Sequence, residues 1–383
     1  MTRSSQVFSL CLFLLFARVL NAQCTLPGSP SQGVPDSTFD AFVSQNGPGW
    51  TGGDGTYSSV LPDGRDLWGW SDSYIGTVDP TTRLRQSYFP TAHNSLTIEN
   101  ADNSMTTVGY PPHTGSYFVP ANSAFEYWMG DAVTYQPSAG VYKIKIMLAE
   151  FYVSGTTIKF EGNAVAQLSW PSLSTDSITP VNLPDLTIQW GTRIMHDGAY
   201  YYLYGIRDPG TANKMPYLAR IISLNDLTNT SKWQFWNASK SRWVNQQSAA
   251  TNLAGVPAIT GEYTVYKMRA SSGVFYFMTG MDPQNPPYPL WQNLTTYYSC
   301  SPQGPWTTRT VVYVTPESGS AGCSVGTLLT YDPRAHAEFT NSNGVLISYN
   351  VNANNGQDLI CANDYKPRFI RVTVPGLIGP LWN

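Results

Sequence analysis

Residues 51–75 read TGGDGTYSSVLPDGRDLWGWSDSYI, and this stretch decides the fold. A polar, Gly-rich strand runs from Gly52 through Tyr57 and Val60 to Leu61. Turn residues follow at Pro62-Asp63-Gly64-Arg65, and an aromatic strand returns along Leu67, Trp68 and Trp70 to Ile75. Period-2 alternation on both sides of a Pro/Asp/Gly cluster is the pattern of a β-hairpin. Taking Asp63-Gly64 as a two-residue turn pairs Asp54 with Ser73 and Gly55 with Asp72, which leaves Asp54 and Asp72 as diagonal neighbours at one end of the hairpin.

Four more hairpins repeat the theme, polar at the start and rich in Tyr, Trp and Phe on the return. The second runs from Tyr127-Trp128-Met129-Gly130-Asp131 to Val141–Leu148, whose Lys/Ile alternation predicts one wet and one dry face. The third spans Ile188–Met195 and Tyr200–Gly205 around Asp197-Gly198. The fourth spans Tyr263–Met268 and Val274–Met278 around Ser272-Gly273, and the fifth spans His336–Phe339 and Val345–Asn350 around Asn343-Gly344. Starts about 60 to 80 residues apart leave room for two further strands each, so the sequence predicts an all-β, five-bladed β-propeller as a single domain over residues 23–383. Radial repetition also hides the edges of that many hairpins. A β-sandwich, or a pair of them, is the alternative, but sandwich strands usually recur without so long a period.

Composition points the same way. Charged residues make up 12% of the chain while Gly and Pro number 32 and 28, which suits short strands and tight turns better than long amphipathic helices. A net charge of −3 with no Lys/Arg cluster supplies no surface for a phosphate backbone, so nucleic acid is excluded as a partner. Arg3 followed by the apolar run Val7–Leu20 reads as a signal peptide over residues 1–22, cleaved after Ala22. That run is too short to span a membrane, which predicts a secreted, extracellular monomer. Cys24, Cys300, Cys323 and Cys361 remain as an even set in an oxidising compartment and imply two disulfides. Of the three connectivities, Cys300–Cys323 and Cys24–Cys361 is the preferred one. Sequons at Asn229, Asn237 and Asn293 are candidate glycosylation sites.

Several motifs carry a family resemblance. Thr51–Ser58, Leu61–Arg65 and Trp70–Gly76 resemble the opening of the propeller domains catalogued as domains of unknown function 4185 and 5005. Trp128–Asp131, Tyr204-Gly205, Tyr217–Arg220, Trp233–Trp236, Ser301–Trp306, His336, Ser348–Asn352 and Tyr365–Val372 resemble the later blades in the same order. The 4185 group resembles glycoside hydrolase family 183, and the wider fold resembles families 43, 32 and 117. The resemblance therefore implies cleavage of D-arabinan-like furanoside polysaccharides.

Glycoside cleavage needs two flanking carboxylates, and proximity of two such groups raises the proton affinity of one. Asp54 is the expected base or nucleophile, with Asp72 or Asp131, its second-blade counterpart, assisting; each could equally be a strand-end Asp bonded to local backbone. Glu126 and Glu262 are weaker candidates for the acid. His336 and Glu338 alternate along one strand, so they share a face and are expected to hold substrate. Trp128 and Trp190 are expected sugar-stacking platforms, or else core residues. His93, His113 and His196 lack a metal-ligand spacing, so no obligatory metal and no cofactor are expected. The rival reading is a lectin-like propeller that binds glycans without cleaving them. A structural or adhesive propeller is the third.

Overall fold

The computed structural model describes residues 24–381 apart from 111–114, 156, 212, 285, 324–325 and 354–359. The predicted signal peptide and His113 lie outside the described residues. Among the described residues there are six antiparallel sheets of three to five strands, one short α-helix, α1 (Ser37–Phe42), and a few 3-10 turns. Asp36 caps α1 by accepting from the Thr38 and Phe39 amides, and the helix buries Phe39 and Phe42 beside Trp68.

The five hairpins of the sequence form the sheets. The first is β1 (Gly49–Gly53), β2 (Tyr57–Val60), β3 (Asp66–Trp70) and β4 (Ser73–Val78). It splits into two sheets that meet at Asp54 and Asp72, because β1 pairs with β4 and β2 with β3. The others are β5 (Phe125–Ser138) with β6 (Val141–Ser154), and β7 (Ile188–Asp197) with β8 (Tyr200–Arg207). The last two are β9 (Thr264–Ala270) with β10 (Gly273–Met281), and β11 (Leu328–Asn341) with β12 (Gly344–Ala353).

Strands β2, β5, β7, β9 and β11 touch one another in that order, and β11 in turn touches β2. The first and last strands among the described residues are both sewn into sheets. Val34–Pro35 pairs with β13 (Lys366–Val372) at the edge of the sheet that holds β11, and β14 (Leu377–Pro380) pairs with β9. Strand β12 is buried along nearly its whole length, with its polar members bonded: Ser348 to His336 and Asn350 to Thr56. Trp50, Trp68 and Trp70 form an aromatic core in the first hairpin, Trp68 stacked on Trp70 and Trp50 tilted against it, all at or below 1% exposure; each such side chain contributes about 1.5–3 kcal/mol by burial.

Four details differ from the sequence-based expectation. The first turn has three residues: the Leu61 amide donates to Arg65 O, the Gly64 amide donates to Leu61 O, and Gly64 supplies the left-handed position at φ 86°. This shifts the register by one residue, so Asp54 lies across from Asp72 instead of diagonal to it. The predicted wet face of β6 is covered, since Lys145 is buried and donates to the Leu224 carbonyl at 2.9 Å. The disulfides are Cys24–Cys300 and Cys323–Cys361, with Cα separations of 5.7 and 6.0 Å. Closeness in sequence misleads here, because the fold sets the N-terminal segment beside the fourth hairpin's sheet. Asn237 is buried, with its amide donating to Ala249 O and accepting from Lys240 N, so it offers no acceptor for a glycan. Asn229 is exposed and Asn293 half-buried.

Candidate active site

Between β1 and β2 the backbone turns through two left-handed residues, Gly55 (φ 79°) and Thr56 (φ 46°). A Cβ on Gly55 would lie 2.8 Å from Ser71 Oγ, so only glycine lets the strands approach here. The break holds Asp54 beside Asp72: the Asp54 amide donates to Asp72 O at 3.1 Å, and the Ser71 amide donates to Asp54 O at 2.8 Å. The Tyr331 hydroxyl donates to Asp54 Oδ2 at 2.5 Å, and the Tyr365 hydroxyl donates to Asp72 O at 3.1 Å. Burial, reinforced by the Asp72 charge, pushes the Asp54 carboxyl well above the usual carboxylate range against the opposing effect of the two phenols.

A second carboxylate comes from the segment before β9. Glu262 accepts from Arg334 Nη1 at 2.9 Å and from the Tyr57 hydroxyl, and Gln189 Nε2 donates to its other oxygen at 3.4 Å. Its pKa is pushed up to about 7, because burial outweighs the nearby guanidinium. Arg334 lies over the Tyr57 ring at 3.4 Å and donates to Thr192 O at 2.6 Å, which fixes its head group. Asp332 links the two acids. It accepts from the Glu262 amide at 2.9 Å, and its charge acts on both Glu262 and Asp54. Its left-handed φ of 45° sits at the bulge between Tyr331 and Arg334.

A cavity of about 470 Å³ opens at the leading ends of these strands, lined by Trp128, Phe151, Gln189, Lys214, Glu262 and Asp332. Trp128 is half-buried and packs on Phe151 with centroids 4.2 Å apart. Asp54 is not on the wall of that cavity. A second cavity, of about 420 Å³, lies at the trailing ends of the same strands, with Glu338, Arg193 and Tyr266 on its wall.

The interior between the two cavities is occupied by bonded polar groups. Asp131 is 1% exposed, pairs with Arg193 Nη1 at 3.1 Å and accepts from the Ile194 amide at 2.7 Å. It is therefore held with Arg193 and is not brought together with Asp54 and Asp72. His336 is bonded through Nδ1 to Ser58 Oγ at 2.6 Å and through Nε2 to Ser348 Oγ at 2.8 Å. Burial and neighbouring arginines hold its pKa well below the ordinary value, so it is neutral. Ser58 also donates to Glu338, which confirms that His336 and Glu338 share a face. His336 is buried among Trp68 and Phe369, where substrate cannot reach it. Trp190 is likewise no sugar platform. It is 1% exposed against Trp233 and Phe235, since its strand is sandwiched between sheets.

The profile of the domain of unknown function DUF5005 matches residues 36–374. The chain belongs to this family. No curated protein sequence matches it. Among solved structures it is similar to a suspected hydrolase from Bacteroides ovatus, at 20% identity and a TM-score of 0.70 over 88% of this chain and 89% of that one. It is also similar to a levansucrase from Bacillus subtilis, at 13% identity and a TM-score of 0.52 over 92% of each chain. At these identities the likeness is one of fold.

Within this DUF5005 domain, sequence reasoning missed Tyr331, Asp332 and Arg334. Pro333 interrupts the strand pattern ahead of His336, and the bulge it sits in is the signal that places polar groups at the mouth. His93 was also missed, because its partners Asp72 and Glu126 come from other strands: its Nδ1 lies 3.1 Å from Asp72 and 3.0 Å from Glu126.

Proposed function

We propose that this chain is a secreted glycoside hydrolase with a five-bladed propeller fold, acting on furanoside-containing polysaccharide of the D-arabinan type. The unbroken circuit of contacts through β2, β5, β7, β9 and β11 supports five blades around one axis. Disulfides and an exposed sequon at Asn229 suit export. The fold is shared with a levansucrase, so it hosts sugar chemistry elsewhere.

One observation carries the catalytic reading: the charge of Asp332, which lines the cavity beside Glu262, acts on both Asp54 and Glu262, two acids from sheets far apart in sequence. Burial makes Asp54 the member that holds a proton, so it serves as the general acid and not as base or nucleophile. Protonating the glycosidic oxygen splits the bond to the leaving group. Glu262, ionised above about pH 7, takes the proton of the attacking water from the cavity side. Asp72 raises the proton affinity of Asp54, and Trp128 offers its face to a sugar ring.

The test is Asp54→Asn assayed on arabinan, arabinogalactan, fructan and xylan with product analysis. The variant is expected to lose at least about 100-fold in kcat while still binding polysaccharide. Absence of cleavage by the parent on every substrate, with binding retained, replaces this reading with a glycan-binding propeller.

A further inference from the structure

We propose that Asp72, His93 and Glu126 form a binding site for a divalent transition metal ion, Zn2+ or Mn2+, that bridges the first and second hairpins. The donor atoms Asp72 Oδ1, His93 Nδ1 and Glu126 Oε2 lie within 4.8 Å of one another. The nitrogen is 3.1 Å from one carboxylate oxygen and 3.0 Å from the other. An ion with bonds of about 2.1 Å has adjacent ligands about 3.0 Å apart in an octahedron, so both spacings match edges of a coordination shell. A mixed imidazole and carboxylate set suits Zn2+ or Mn2+.

The charges are also unbalanced without an ion. Among the ion pairs of the described residues, neither carboxylate has a Lys or Arg partner, and His93 serves both. A single Nδ1 proton cannot be well aligned to two acceptors at once, whereas an ion meets all three groups.

Bonds next to each donor build the scaffold. Ser73, which follows Asp72, bonds Ser95 at 2.8 Å. Asn94, which follows His93, is 0% exposed and donates to Tyr127 O, adjacent to Glu126, at 2.8 Å and to Phe118 O at 2.9 Å. The His93 amide donates to Ser116 Oγ at 2.8 Å. Supports of this kind hold metal ligands in place. The three side chains are 19% to 36% exposed, so an ion can enter and keep open positions for water or a sugar diol.

Asp72 serves both this site and the hydrolase reading, but the site stands on its own geometry and its test needs no activity. The chain is dialysed against chelator, then titrated with ZnCl2 or MnCl2 by calorimetry, with thermal unfolding recorded alongside. One equivalent is expected to bind and to raise Tm. His93→Ala and Glu126→Gln are each expected to weaken binding at least 10-fold, and a Co2+ absorption band seen in the parent is expected to vanish in both. The Co2+ spectrum and circular dichroism separate a lost site from a lost fold. Failure of the parent to bind one equivalent, or binding in folded His93→Ala within twofold of the parent, overturns the proposal.

Discussion

At the residue scale the site turns on two carboxyl groups whose proton affinities are raised by different surroundings. Asp54 is enclosed with Asp72 at its side, whereas Glu262 is enclosed against Arg334. If Glu262 is the base, kcat/KM climbs as pH rises through about 7 and the group ionises. Glu262→Gln is expected to remove that acidic limb and to lower kcat by about 100-fold or more, which a pH–rate profile on the cleaved polysaccharide reads directly. Arg334→Ala leaves Glu262 buried without its counter-ion and is expected to move the same limb to higher pH.

At the element scale the inner strands carry polar residues outward to both cavities and hold apolar or bonded ones between them. Strand β11 shows the pattern, with Asp332 at one mouth, His336 in the middle and Glu338 at the other end. Neutral, buried His336 makes the strand sensitive to acid. Its folded pKa lies below the unfolded value of about 6.5, so the unfolded chain takes up the proton first and stability is lost as pH falls below that point. The loss is at most about 1.4 kcal/mol per pH unit. Raised carboxyls such as Glu262 act in the opposite sense, since stability falls as pH rises through their folded values. Urea unfolding at pH 7.5 and 5.5 separates the two effects: His336→Gln is expected to lose less on acidification than the parent.

The strands themselves were legible in the sequence because aromatic alternation and Gly-containing turns are local signals. Asp54 beside Asp72 and the shared face of His336 and Glu338 were legible for the same reason. Register was not, because a three-residue loop and a two-residue loop at Pro62–Gly64 use the same residue types. The Tyr331 bond to Asp54, spanning 277 positions, and the pairing of His93 with Glu126 depend on which sheets become neighbours. Nothing within one hairpin encodes that.

At the scale of the whole molecule, covalent links join segments that are distant in sequence. Cys24–Cys300 spans 276 residues and Cys323–Cys361 spans 38. Replacing Cys24 and Cys300 together by Ser is expected to lower unfolding free energy by about 2–4 kcal/mol, more than replacing the shorter pair, as measured by denaturant unfolding under non-reducing conditions.

The placement of the two ends follows through to mechanics. Val34–Pro35 is zipped onto β13 while β14 is zipped onto β9, so the first and last strands among the described residues lie in different sheets. A pull on the leading end meets the Cys24 cross-link to Cys300 before it reaches the two-residue zipper. Tension is thereby diverted into the sheet of β9 and β10. In an oxidising medium the sheets should resist being parted at the Val34–Pro35 zipper, and after reduction the same tug should peel that zipper first.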